Sequence, residues 1–145
     1  MTTLEADSLE KTKQAAVDFI RDLKPQDGMA TVVCLFGELG SGKTTFVKEA
    51  AKALGIDEIV TSPTFVIEKV YSVSHPHFKK LIHIDAYRLE EGGELLALGW
   101  EEMIHDTGNI IFIEWPKYVA DVLPKERMNI TFTFVNEHTR KIDFV

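Results

Sequence analysis

The stretch Gly37-Glu38-Leu39-Gly40-Ser41-Gly42-Lys43-Thr44-Thr45 decides how the rest of the chain is read. It fits G-x-x-x-x-G-K-[ST], a loop whose backbone cradles phosphate groups. Glycines let the main chain turn tightly with no Cβ in the way. The loop N–H groups then point inward and make a concave anion site. A helix starting at the loop adds its unpaired N–H groups and the positive end of its dipole. Lys43 is placed to reach the β- and γ-phosphates, and the Thr44 hydroxyl to bind Mg²⁺.

Working outward from the loop, Thr31 to Phe36 is β-branched and apolar, which predicts a buried strand. Phe46, Val47, Ala50, Ala51 and Leu54 recur at helical spacing, and Gly55 ends that helix. Strand, loop and helix in this order are the context the motif requires. Chance alone supplies roughly 0.005 such matches in a chain of this length.

Composition bounds the rest. A length of 145 residues predicts one domain over 1–145 with a core that needs no staples. The formal net charge of −7 disfavours non-specific binding to nucleic acid or anionic membrane. The lone Cys34 excludes an intrachain disulfide and fits a reducing cytoplasm. No signal peptide or long apolar run is present, so a cytoplasmic protein without membrane contact is expected.

Taken in order, Asp7 or Ser8 can cap a first helix, with Glu10 three residues after Asp7. Leu9, Thr12, Ala16, Phe19, Ile20 and Leu23 form its apolar stripe. Pro25, Asp27 and Gly28 break it. After Gly55, Ser62-Pro63-Thr64 offers hydroxyls beside the phosphate loop and leads into a strand from Phe65 to Tyr71. It reads equally as a switch-like loop or as a plain turn. His75 and His77 stand in a polar loop with no third ligand near, so they read as loop histidines rather than a metal pair.

Two strands end on carboxylates: Leu81 to Asp85 and Ile110 to Glu114. In nucleotide-binding α/β sheets, ligands sit at the carboxyl ends of strands. Acids there hold Mg²⁺ or activate a nucleophile. Spacing does not assign the two roles between Asp85 and Glu114. His83, between isoleucines, reads as a hydrogen-bonded, half-buried side chain. Glu94 to Leu98 predicts a short helix stopped by Gly99. Trp100 and Met103 pack the next turn into the core. Pro116 ends its strand at once, and Trp115 reads equally as site wall or core. Met128 to Val135 and Arg140 to Val145 predict a terminal hairpin.

Four blocks in this order carry a family likeness: Gly37 to Phe46, Ser62-Pro63-Thr64-Phe65, His83-Ile84-Asp85-Ala86-Tyr87-Arg88-Leu89 and Ile113-Glu114-Trp115-Pro116. With them the chain resembles the TsaE (YjeE) family, the small ATPase of bacterial tRNA threonylcarbamoyladenosine synthesis, from about Ser8 to the C-terminus. The resemblance implies that Lys43 and the loop from Leu39 and Gly40 through Ser41, Gly42, Thr44 and Thr45 bind the phosphates of ATP or ADP. It implies that Thr44 and Glu114 hold Mg²⁺, that Asp85 with Lys43 serves catalysis, and that Thr64 belongs to a switch-like loop contacting the nucleotide. Ser8 and Thr12 stand where the family's N-terminal helix meets the adenine. Family members often carry Asp and Ala where this chain has Glu38 and Ser41; both side chains are expected to point away from the phosphates.

The resemblance also implies partners, TsaD and TsaB, and feeble hydrolysis by the isolated protein. Contact with tRNA would be indirect, through TsaD. The expected fold is a three-layer α/β P-loop NTPase-like domain. Its central sheet is expected to be mixed, parallel near the loop and antiparallel at the C-terminal hairpin. Two other readings stand beside an accessory ATPase. A small metabolite kinase would need clustered basic residues, and Arg21, Arg88, Arg127 and Arg140 are scattered. A nucleotide-dependent binding module would need no hydrolysis. A GTPase is disfavoured because the guanine-reading Asn-Lys-x-Asp pattern is absent.

Overall fold

The computed structural model describes residues 2–38, 41–56 and 68–145. Its elements in chain order are β1 (Thr2–Ala6), α1 (Leu9–Asp22), β2 (Thr31–Phe36), α2 (Lys43–Ala53), β3 (Glu68–Ser72), β4 (Lys80–Asp85), α3 (Gly92–Leu96), α4 (Trp100–His105), β5 (Asn109–Glu114), a 3₁₀ segment (Pro116–Val122), β6 (Met128–Phe134) and β7 (Arg140–Phe144). The strands form one sheet in the order β1-β7-β6-β2-β5-β4-β3. β2 runs parallel to both β5 and β6, and β4 runs parallel to β5. β1, β3 and β7 pair antiparallel. The sheet is therefore mixed, as expected. Antiparallel pairing occurs at both edges, however, and not only at the C-terminal hairpin.

Strand alternation sorts side chains into two cores. Val33, Leu35, Ile110 and Phe112 face α1 and α2, where Ala16, Ile20, Phe46 and Ala50 close on them. Val32, Cys34, Ile111 and Ile113 face α3, α4 and the 3₁₀ segment through Leu95, Trp100 and Val119. Because both faces are covered, β5 is buried at every position. Full burial of side chains such as Phe46 or Ile113 contributes about 1.5–3 kcal/mol each. Burial also pushes the Cys34 thiol up to about 11, so this cysteine behaves as a small apolar group. No helix among the described residues is long and apolar enough to cross a membrane.

Local departures from the sequence reading have local causes. Ser8, not Asp7, caps α1, its hydroxyl accepting the Lys11 N–H at 3.2 Å. Glu10 is then one residue short of a capping-box position, and Asp7 instead pairs with Lys11 at 2.9 Å. Leu9 leads the predicted stripe yet is 58% exposed, because the helix has only begun there. The helix expected over Glu94 to Leu98 lies earlier, at Gly92–Leu96. Gly99, at φ +87°, precedes α4 and starts it. β3 starts at Glu68 and runs one residue beyond Tyr71; the expected residues 65–67 lie outside the described ones.

Candidate functional site

A cavity of about 520 Å³ opens where α2 begins and where β4 and β5 end. α2 follows Gly42, whose φ is +108° and which has no side chain with which to cap the helix. The first N–H groups of this helix are thus left for another acceptor. Gly42, Lys43, Thr44 and Thr45 line the cavity. Gly37 cannot be replaced without a clash: a Cβ there would lie 2.7 Å from both the Phe132 carbonyl oxygen and Ser41 Oγ. The Ser41 side chain is buried against Gly37, and Ser41 is absent from the cavity lining.

Lys43 is 5% exposed. Its Nζ donates to the Gly37 carbonyl and sits 4.2 Å from the centre of the Trp115 ring. Burial lowers its ammonium from the usual lysine range, and the Glu114 and then the Asp85 carboxylates pull it back up.

Asp85 and Glu114 are direct neighbours in the β4–β5 register, and both line the cavity. The structure therefore brings together the two strand-end acids singled out in the sequence. Asp85 is half-buried, and its Oδ1 accepts the Tyr87 N–H at 3.0 Å. Glu114 is 5% exposed, and its Oε2 lies 2.7 Å from Nε2 of His83. His83 was expected half-buried; it is 2% exposed, because α2 covers this face of the sheet. Among the described residues Trp115 is the one non-glycine residue with positive φ, at +59°. Holding it there costs about 1–3 kcal/mol and sends the chain into Pro116 while the indole walls the cavity.

Among the described residues no group of three or more His, Cys, Asp or Glu gathers around one point. The ring of His75 leans on Phe78, and its Nδ1 accepts the His77 N–H at 3.1 Å. At the cavity the donor set suits a hard cation held by one or two protein oxygens and completed by phosphates and water, the usual manner of Mg²⁺. Thr44 is exposed and lines the cavity, as do Asp85 and Glu114.

Leu39, Gly40 and Thr64 lie outside the described residues. Ser8 and Thr12 line the cavity with Asp7 and Leu9. Glu137, His138 and Arg140 also line it, and the sequence reading missed them as site residues. Their turn reads only as a hairpin connection. Sheet order is what brings it to the loop, with Arg140 Cγ 3.8 Å from where a Gly42 Cβ would lie. Arg140 donates to the carbonyls of Asn136 and Thr139 at 2.7 and 3.2 Å, so the turn is held by one of its own lining residues.

The family model described as "Threonylcarbamoyl adenosine biosynthesis protein TsaE" matches residues 6–142. The tRNA threonylcarbamoyladenosine biosynthesis protein TsaE of Bacillus subtilis (strain 168) is 39% identical over 135 residues, 93% of this chain and 79% of that protein. The protein of the same name from Borreliella burgdorferi is 35% identical over 126 residues, 86% of this chain and 89% of that one. Among solved structures, Bacillus subtilis YdiB superposes with a TM-score of 0.78 at 32% identity, covering 99% of this chain and 83% of that chain. Loop, strand-end acids and relatives point the same way, and the chain belongs to the TsaE family.

Proposed function

We propose that this protein binds ATP with Mg²⁺ and hydrolyses it slowly when alone. It would work as an accessory switch in tRNA threonylcarbamoyladenosine synthesis, the process named for its relatives. One observation carries the reading. The uncapped start of α2 and the buried Lys43 open on one cavity with the neighbouring carboxylates Asp85 and Glu114. A triphosphate tail matches that arrangement, with amides and an ammonium for its charge and acids for its metal.

In this reading Thr44 and Glu114 would hold Mg²⁺, which when bound neutralises charge on the phosphates. Lys43 leaves the Gly37 carbonyl for a phosphate oxygen. Asp85, fixed by the Tyr87 amide, orients the attacking water. Trp115 shields the lysine from solvent. The N-terminal turn of α1 and the Glu137–Arg140 turn enclose the far end of the nucleotide. The partners would be the TsaD and TsaB proteins, with tRNA reached through them; the net charge of −7 suits that indirect contact.

The test uses the assembled system with TsaD, TsaB and tRNA. Lys43→Ala is expected to abolish nucleotide binding, measured by calorimetry. Asp85→Ala is expected to leave binding within a few-fold and to lower ATP hydrolysis by about 10²-fold or more. If both variants hydrolyse ATP at the parent rate within the assembly, the reading is wrong.

A further inference from the structure

We propose that His83 is a positioning residue for Glu114, orienting its carboxylate for the cation; this rests on the ATP–Mg²⁺ reading above. The two side chains come from adjacent parallel strands. His83 is paired with Phe112, and Glu114 follows two residues later on the same face. The imidazole is thus delivered to the carboxylate by strand register, with both groups almost wholly buried. Their separation of 2.7 Å between Nε2 and Oε2 is that of a charge-assisted hydrogen bond.

The chemistry of the contact follows from the acceptor. A carboxylate that holds a cation is ionised and only accepts, so in this proposal Nε2 is the donor. Nδ1 is buried with no hydrogen-bond partner among the described residues. A bare acceptor lone pair tolerates that situation better than an N–H does. Among the described residues the imidazole thus bonds through Nε2 alone. It occupies one oxygen of Glu114 and restrains rotation of the carboxylate about its terminal bond. The other oxygen is left for a ligand in the cavity that Glu114 lines. Outer partners of this kind fix the aim of a ligating carboxylate, and their loss typically costs ten- to a hundredfold in metal affinity.

The experiment compares the parent with His83→Leu, which removes the donor, and His83→Gln, whose amide N–H reaches the place of Nε2. Calorimetry measures binding of a non-hydrolysable ATP analogue, first with a chelator and then across a magnesium titration. Without metal the three proteins should bind within about twofold of one another, since His83 does not line the phosphate-facing helix start. The magnesium concentration that half-completes the metal-dependent gain should rise about tenfold in His83→Leu and return most of the way in His83→Gln. An unchanged magnesium requirement in His83→Leu overturns the proposal. A parent that binds no nucleotide at all overturns the function it rests on, and the proposal with it. Should His83→Leu fail to fold, nitrogen NMR of the histidine-labelled parent decides, with His83→Gln locating the signals. A protonated Nε2 bonded to carboxylate supports the assignment, and an Nε2 without hydrogen overturns it.

Discussion

Lys43 and Glu68 are both ionisable groups taken partly out of water, and their neighbours make the difference between them. Lys43 has two carboxylates that offset its desolvation. Glu68 has only the desolvation, which raises its carboxyl above the usual 4.5, and its buried Oε2 has no partner among the described residues. The sign follows from proton linkage. Between 4.5 and its raised folded value, Glu68 binds more protons in the folded chain than in the unfolded one. Stability is therefore lost as pH rises from 4.5 through the raised value. Glu68→Gln is expected to raise the urea midpoint at pH 7, with the advantage closing once pH falls below 4.5. A lower midpoint for Glu68→Gln at pH 7 would mean that the carboxylate is compensated after all. The same residue scale holds the motif chemistry that was legible in sequence. That Lys43, Asp85 and Glu114 meet at one cavity could be anticipated, because each sits at a fixed offset from a strand or loop. The His83–Glu114 contact could not, since it depends on the register of two strands.

Elements were readable where one face met the core and the other met solvent, or where both were buried. β2, α2 and the C-terminal hairpin followed their patterns for that reason. β1 has four exposed residues out of five, and such an edge strand carries no alternation to read. Helix ends obey local rules with measurable weights. Ser8→Ala removes the cap of α1 and should cost about 1 kcal/mol in chemical denaturation. Gly55→Ala should cost more, above about 2 kcal/mol. The φ of +82° disfavours any side chain, and the new Cβ would lie 2.6 Å from the Ser74 carbonyl oxygen, where backbone cannot give way. Equal losses for the two variants would show that the close approach of Gly55 to Ser74 contributes little.

Over the whole molecule, the cavity draws on the start of α1, the start of α2, the ends of β4 and β5 and the β6–β7 turn. A ligand that bridges these pieces stabilises the folded chain by mass action. At a hundredfold excess over its dissociation constant, Mg²⁺–ATP should contribute about 2.7 kcal/mol. For a chain of this size that corresponds to a rise of about 5–10 °C in Tm. Differential scanning calorimetry should show this rise in the parent and none in Lys43→Ala. A shift of the same size in both would place the binding energy elsewhere.

Motif, strand–loop–helix context and the two acid-ended strands were determined by the sequence alone, because each is written in one continuous stretch of chain, the longest running from Thr31 to Ala53. The order β1-β7-β6-β2-β5-β4-β3 was decided only in three dimensions, and with it the presence of Glu137, His138 and Arg140 at the cavity. The physical reason is the range of the interactions. Backbone geometry and side-chain periodicity are local. Strand pairing joins residues as far apart as Thr2 and Phe144, and no local pattern records which edge a strand will choose.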